Sequence, residues 1–312
     1  MNASGKLVKF CEKIGARVPV WTQGGGGNVS VKDSAENLLY IKASGARLGD
    51  VSLQTGIAAA RLSDSRVALR KLPKQGDASE RAYAELLASV SLPGPHWGRL
   101  SMEAGFHALL PKTFVLHFHS LPALLMAHEA RKQPNAWKKW LNANVHFSLS
   151  ILPFINPGAS LSFALADAHL SDVYLLDNHG LVAQTEDAGE FLSIWEELER
   201  VFCRDFGYGE LLALLESKDS LNLARKMHGG PGAFAILLPD VAVFEQKIRS
   251  LLEPSGNLFL LKSHAWQTDP GTCELWLAIQ ILLRAAPDIA SLSAAQGDHV
   301  AQLPSEKFRK EK

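Results

Sequence analysis

Residues 99–120, RLSMEAGFHALLPKTFVLHFHS, constrain this chain more than any other stretch. They predict a short helix carrying Glu103, followed by a buried strand that ends in His117-Phe118-His119. Side chains along a strand alternate faces, so His117 and His119 share one face and both can reach a single metal ion, while Phe118 points away. With 11 histidines in 312 residues, chance alone gives roughly 0.4 His-x-His pairs, so the pair needs further ligands to mean more than two half-buried histidines at a strand end. Glu103 and His107 are four apart, which on a helix puts them on one face. Glu103 is then either a surface carboxylate or a ligand or base directed at the metal.

The chain is 47% hydrophobic and 21% charged, an ordinary globular composition with enough length for one large domain or two moderate ones. Lys plus Arg equals Asp plus Glu at 32 each. No overall field therefore recruits nucleic acid or an anionic membrane, and any anion site must be local. No apolar run approaches the roughly 18 residues that span a bilayer, and the amphipathic N-terminus lacks a signal-peptide core, so the expected location is cytoplasmic. Cys11, Cys203 and Cys273 are odd in number, far apart and set in apolar helical patterns. That suits reduced core thiols.

Leu7, Phe10, Cys11 and Ile14 recur at helical spacing, and an alternating strand follows at Val29-Ser30-Val31. Between them lie four consecutive glycines, 24–27, then Asn28. Such a turn either cradles a phosphate or carboxylate with its backbone amides or is a flexible lead into a hairpin. It matches neither a Walker loop nor a dinucleotide loop, since a strand and no helix comes next. A second strand at 38–41 leads to the small-residue loop Lys42-Ala43-Ser44-Gly45, where Ser44 and the peptide N–H groups could serve the same anion or an ordinary turn. A strand at 56–61, a helix at 78–89 and a Pro/Gly loop at 91–98 complete the approach to the central stretch.

Beyond it the pattern predicts a helix at 121–128, a basic, Trp-containing helical face in RKQPNAWKKW, and a strand at 147–154. Residues 173–182, VYLLDNHGLV, read as strand, sharp turn and strand, so that Gly180 lets the backbone turn and His179 projects as a third ligand. Asp187 caps a helix running to about residue 206. From 208 onward the expected elements are a Leu-rich helix at 211–215, a loop at 228–232, and strands at 234–238 and 258–261. Helices are expected at 244–252 and 272–286, with a charged, exposed tail, SEKFRKEK. His228 and His264 have nothing nearby to complete a cluster.

GGGGNVS, KASG, S-x-E-x-x-x-H followed by HFHS, and DNHGLV occur in one order over residues 5–207, and in that order they resemble the class II aldolase/adducin family. The region after 207, with ILLPDVAVF, resembles the extension on the aldolase half of bifunctional rhamnulose-phosphate aldolase/dehydrogenase proteins; no dehydrogenase fingerprint follows. The resemblance implies an α/β fold: a three-layer α/β/α class II aldolase-like domain around a mainly antiparallel sheet, residues 1–207, with a C-terminal α/β extension, 208–312, packed on it.

The resemblance also implies that His117, His119 and His179 hold Zn2+ or another divalent metal, that Glu103 is the acid/base, and that Asn28, Ser44, Gly45 and Ser101 bind a substrate phosphate. The implied activity is a lyase of carbohydrate metabolism, an aldolase acting on a sugar phosphate or hydroxyketone through an enediolate. An epimerase or dehydratase working at the same site, or a non-catalytic adducin-like scaffold, is the alternative. A homotetramer with sites at subunit interfaces is implied as well. Met102 stands where relatives often carry a second hydroxyl, and the C-terminal tyrosine that relatives use has no counterpart here, Tyr208 being the last.

Overall fold

Residues Phe114–Phe118 are buried along their whole length, a pattern that only a strand covered on both faces produces. This strand is β4 of a seven-stranded sheet, with β1 Asn28–Asp33, β2 Leu38–Lys42, β3 Ile57–Arg61, β5 Leu149–Leu152, β6 Val173–Leu176 and β7 Gly180–Thr185. The order is β3-β2-β1-β4-β7-β6-β5, so β4 is central. Every pairing is antiparallel except β5 with β6. The computed structural model describes all residues except 75–76, 95–96, 169, 227–234, 256–257, 304–305 and 307–312.

Helices cover both faces. Those within the sheet-forming part are α1 Ala3–Gly15, α2 Leu62–Lys71, α3 Asp77–Val90, α4 Ala104–Leu109, α5 Leu121–Lys132, α6 Pro134–Asn144, α7 Ala159–Asp167 and α8 Ala188–Asp205. Leu116 and Phe118 of β4 join Leu7 of α1, Leu125 of α5 and Trp195 of α8 in one apolar cluster. Val115, on the opposite face, packs with Phe106 of α4 and Leu161 of α7. The alternation anticipated for this strand thus separates two cores, and the expected three-layer architecture around a mainly antiparallel sheet is the one observed.

After α8 come α9 Gly209–Glu216, α10 Ser220–Lys226, α11 Pro239–Val243, α12 Glu245–Ser250, the hairpin β8 Leu252–Ser255 and β9 Leu258–Leu261, then α13 Ala265–Thr268, α14 Pro270–Ala285 and α15 Ala294–Gln302. Leu214 of α9 and Leu282 of α14 share the cluster of Phe118. Behind β4 the same core buries a polar knot. The indoles of Trp21 and Trp195 each donate to Glu199 at 2.6 Å, and the Ser120 hydroxyl donates to it too. Burial outweighs these three donors and raises the Glu199 carboxyl to about 7.

Several expectations need correction. The strand expected at 147–154 spans only Leu149–Leu152, because Phe147 docks its ring on Phe191 and Trp195 of α8. Residues 235–238 form no strand; the Leu237 N–H donates to the Ala235 carbonyl in a tight turn ahead of α11, and their apolar character reflects burial of Leu237 and Leu238 in the main core. The basic helix α6 does present a solvated face, with Lys138 and Lys139 exposed, while its Trp137 and Trp140 pack on Phe202. The tail is not uniformly exposed, for Glu306 is buried. Residues 95–96 of the Pro/Gly loop, the loop 228–232, Phe234, and residues 305 and 307–312 of the tail lie outside the described residues. No helix among the described residues is long and apolar enough to cross a membrane.

Candidate active site

Strand register brings the site together. Asn28, the first residue of β1, stands opposite His117 near the end of β4, and β4 pairs His117 with Val182 and Phe118 with Leu181 of β7. The turn between β6 and β7 therefore lies at the same end of the sheet as the start of β1. Gly180 adopts φ +123°, and a Cβ there would lie 2.4 Å from the Phe118 carbonyl oxygen and 2.8 Å from the His119 Cα. Only glycine lets the turn cross β4 so closely. That crossing sets His179 over His117 and His119.

The three imidazoles form a triangle with ring centroids 4.7 Å apart for His117–His179, 5.1 Å for His117–His119 and 5.2 Å for His119–His179. Each can offer one nitrogen to a common point, the three nitrogens lying within 4.8 Å of one another. All three side chains are buried. His117 Nδ1 is 2.7 Å from the Leu181 carbonyl oxygen, so Nδ1–H donates there and Nε2 carries the lone pair. That Nε2 is buried without a hydrogen-bond partner. It lies 3.4 Å from Glu103 Oε1, and His179 Nε2 lies 3.3 Å from the same oxygen.

Burial by itself would raise the Glu103 carboxyl, but the facing imidazoles of His117 and His179 outweigh it and hold the group well below the ordinary carboxylate range. Burial works against charge on His117 as well, and there the adjacent Glu103 wins and the pKa is raised. Burial lowers His119 to about 3, and it also lowers His179. Neutral imidazoles are the form that binds metal; burial favours it at His119 and His179, and at His117 a metal would have to displace the proton that Glu103 favours. A buried imidazole lone pair with no donor, two further imidazoles and an ionised carboxylate make a donor set that fits a divalent ion with borderline preferences such as Zn2+.

Glu103 is placed differently from the sequence expectation. It is the N-cap of α4, with φ −95° and ψ 0°, and lies outside the helix. Glu103 and His107 both turn toward β1, but to different residues, Glu103 meeting Asn28. His107 turns instead to Ser30 Oγ of β1, 2.8 Å away, and stacks on Phe106. Glu103 is held by two of the residues expected to bind phosphate. The Asn28 amide donates to Glu103 Oε2 at 2.6 Å and to Ser101 Oγ at 3.0 Å, and Ser101 Oγ also accepts from the Glu103 N–H.

These groups border a cavity of about 350 Å³ that Ser44, Gly45 and Met102 also line. The Ser44 peptide N–H is already committed to the Arg99 carbonyl at 2.8 Å, leaving its hydroxyl, which accepts from Arg99 Nη2 at 3.3 Å. His264 is exposed at the start of α13 and stands apart from the cavity lining. Lys42, Arg99 and Asp240 also line the cavity, and none was assigned a role from the sequence. Lys42 ties the two small-residue loops by donating to the carbonyls of Gly25 and Ala46, at 3.1 and 2.8 Å. Arg99 had no motif to mark it. Asp240 reaches in from α11, with Oδ2 3.8 Å from His119 Nδ1.

A search of curated proteins returns no match. Among solved structures, the N-terminal class II aldolase domain of a conserved protein from Thermoplasma acidophilum is 23% identical, covering 64% of this chain and 91% of that one at TM-score 0.49. YgbL from Klebsiella pneumoniae, described as a putative aldolase/epimerase/decarboxylase, is 19% identical over 67% of this chain and 92% of its own, at TM-score 0.46. An L-fuculose 1-phosphate aldolase is 18% identical over 72% and 95%, at TM-score 0.45. The family model described as "Class II Aldolase and Adducin N-terminal domain" matches residues 6–203. That span takes in Asn28, Glu103 and all three clustered histidines, and this chain belongs to the class II aldolase and adducin family.

Proposed function

We propose that this protein is a metal-dependent aldolase that cleaves or forms a ketose phosphate or related hydroxyketone through an enediolate. His117, His119 and His179 would hold the ion, and three neutral imidazoles around an open position suit catalytic zinc. When bound, the ion supplies Lewis acidity to the carbonyl and hydroxyl oxygens that carry the developing charge. The observation that carries this reading is the position of Glu103, whose Oε1 lies 3.4 and 3.3 Å from the His117 and His179 Nε2 atoms at the edge of the cavity.

Glu103 acts as general base toward the proton on the substrate carbon next to the carbonyl, and its lowered pKa keeps it ionised for that task at neutral pH. Asn28 and Ser101 aim the carboxylate. Ser44, Gly45 and Ser101 face the substrate's remote phosphate, whose binding positions the reacting carbons. Within this reading residues 1–207 are the catalytic unit, 208–312 close one side of the cavity, and the chain assembles as a homotetramer, which light scattering checks.

The test is exchange at C3 of dihydroxyacetone phosphate in heavy water, with zinc-loaded protein and no aldehyde. Exchange that a chelator abolishes supports the base, the metal and the donor together. Absence of exchange in protein that holds zinc excludes this donor, and a protein that takes up no metal is a scaffold. Product analysis then separates the aldolase, which releases two fragments, from an epimerase, which returns one intact sugar.

A further inference from the structure

We infer that Asp240 is a positioning residue for the metal centre, fixing the orientation and tautomer of His119 from a segment beyond the family-matched residues 6–203. The inference rests on the metal reading above. Both side chains are buried, at 3% exposure for His119 and 4% for Asp240, with Oδ2 3.8 Å from Nδ1. At that separation the neutral imidazole and the carboxylate are neighbours just beyond hydrogen-bond distance. The terminal torsion of an aspartate is broad, so a small rotation closes the gap. A carboxylate on Nδ1 makes that nitrogen the protonated one and leaves the Nε2 lone pair for the ion, as the Leu181 carbonyl does for His117.

Two features show that the contact is built. Asp240 sits on α11, whose Val241 is fixed in the main core and whose Ala242 and Val243 pack on Val300 of α15, so its backbone is anchored on both sides. The glycine loop lies directly over the pair. A Cβ at Gly26 would come 2.6 Å from His119 Nδ1 and 2.9 Å from Asp240 Oδ2, distances no real Cβ tolerates. The backbone carbonyl of His119 accepts from Gln23 Nε2 at 3.2 Å.

The experiment is a zinc titration against a chromophoric chelator on the full chain, comparing wild type, Asp240→Asn, His119→Ala and the double variant. Asp240→Asn is expected to weaken zinc binding about tenfold or more. The double variant is expected to bind no more weakly than His119→Ala alone, because Asp240 acts through that ring. Affinity within twofold of wild type in Asp240→Asn overturns the inference, and so does a further loss in the His119→Ala background. Should Asp240→Asn fail to fold, Gly26→Ala intrudes on the same contact, and wild-type affinity in that variant is equally decisive. Wild-type protein without zinc affinity would instead defeat the metal reading itself.

Discussion

The side-chain amide of Asn28 donates to Glu103 Oε2 at 2.6 Å, which leaves Oε1 facing His117 and His179. A hydrogen bond to a charged group contributes about 1.5–3 kcal/mol. Asn28→Ala should therefore slow C3 exchange by roughly ten- to a hundredfold, with zinc content unchanged by atomic absorption. Parallel loss of zinc would mean that Asn28 supports the ligands rather than the base.

Glu103→Gln keeps the shape of the side chain and removes its ability to take a proton. Exchange should fall by about 10²–10⁴, the usual contribution of general-base catalysis, while most of the metal is retained. Undiminished exchange in this variant removes Glu103 from the mechanism.

His117 is the most enclosed of the three imidazoles and the one whose tautomer a backbone carbonyl fixes. His117→Ala leaves two imidazoles and should release zinc during dialysis against a weak chelator that wild type survives. Full occupancy after that dialysis would contradict the assignment of His117 as a ligand.

Glu199 gives a pH signature away from the site. Its folded pKa is raised to about 7 from an ordinary value of 4.5, so between those limits the folded state holds a proton that the unfolded state has released. Stability must then fall as pH rises through that window, by roughly 3 kcal/mol in total. Denaturant melts of wild type and Glu199→Gln from pH 4.5 to 8 should show this slope in wild type only; parallel curves would place the titration elsewhere.

The histidines were legible because their signals are local. A period of two puts His117 and His119 on one face, and a His-Gly turn between two apolar runs projects His179, so neither reading needed tertiary information. Asp240 was not legible. Residues 236–238 are apolar because the main core covers them, and an apolar run buried as coil has the same composition as one buried as strand. Glu103 was recognised as a residue, but its place as N-cap, just before the first helical turn, shows only in the cap geometry. Helix α7 was missed because its Ala/Ser/Leu-rich sequence is buried around most of its circumference and lacks a polar stripe to reveal the period. The sheet was readable strand by strand, but its order was not, because pairing joins β1 to β4 and β4 to β7 across long stretches of chain.

That non-sequential pairing has a consequence for how the protein matures. Asn28 faces His117, and His117 faces Val182, only in one register. A slip of one residue in a strand turns its side chains to the opposite face, and such a chain could gather two imidazoles at most. A divalent ion present during folding would bind the correctly paired sheet and leave slipped pairings unrewarded.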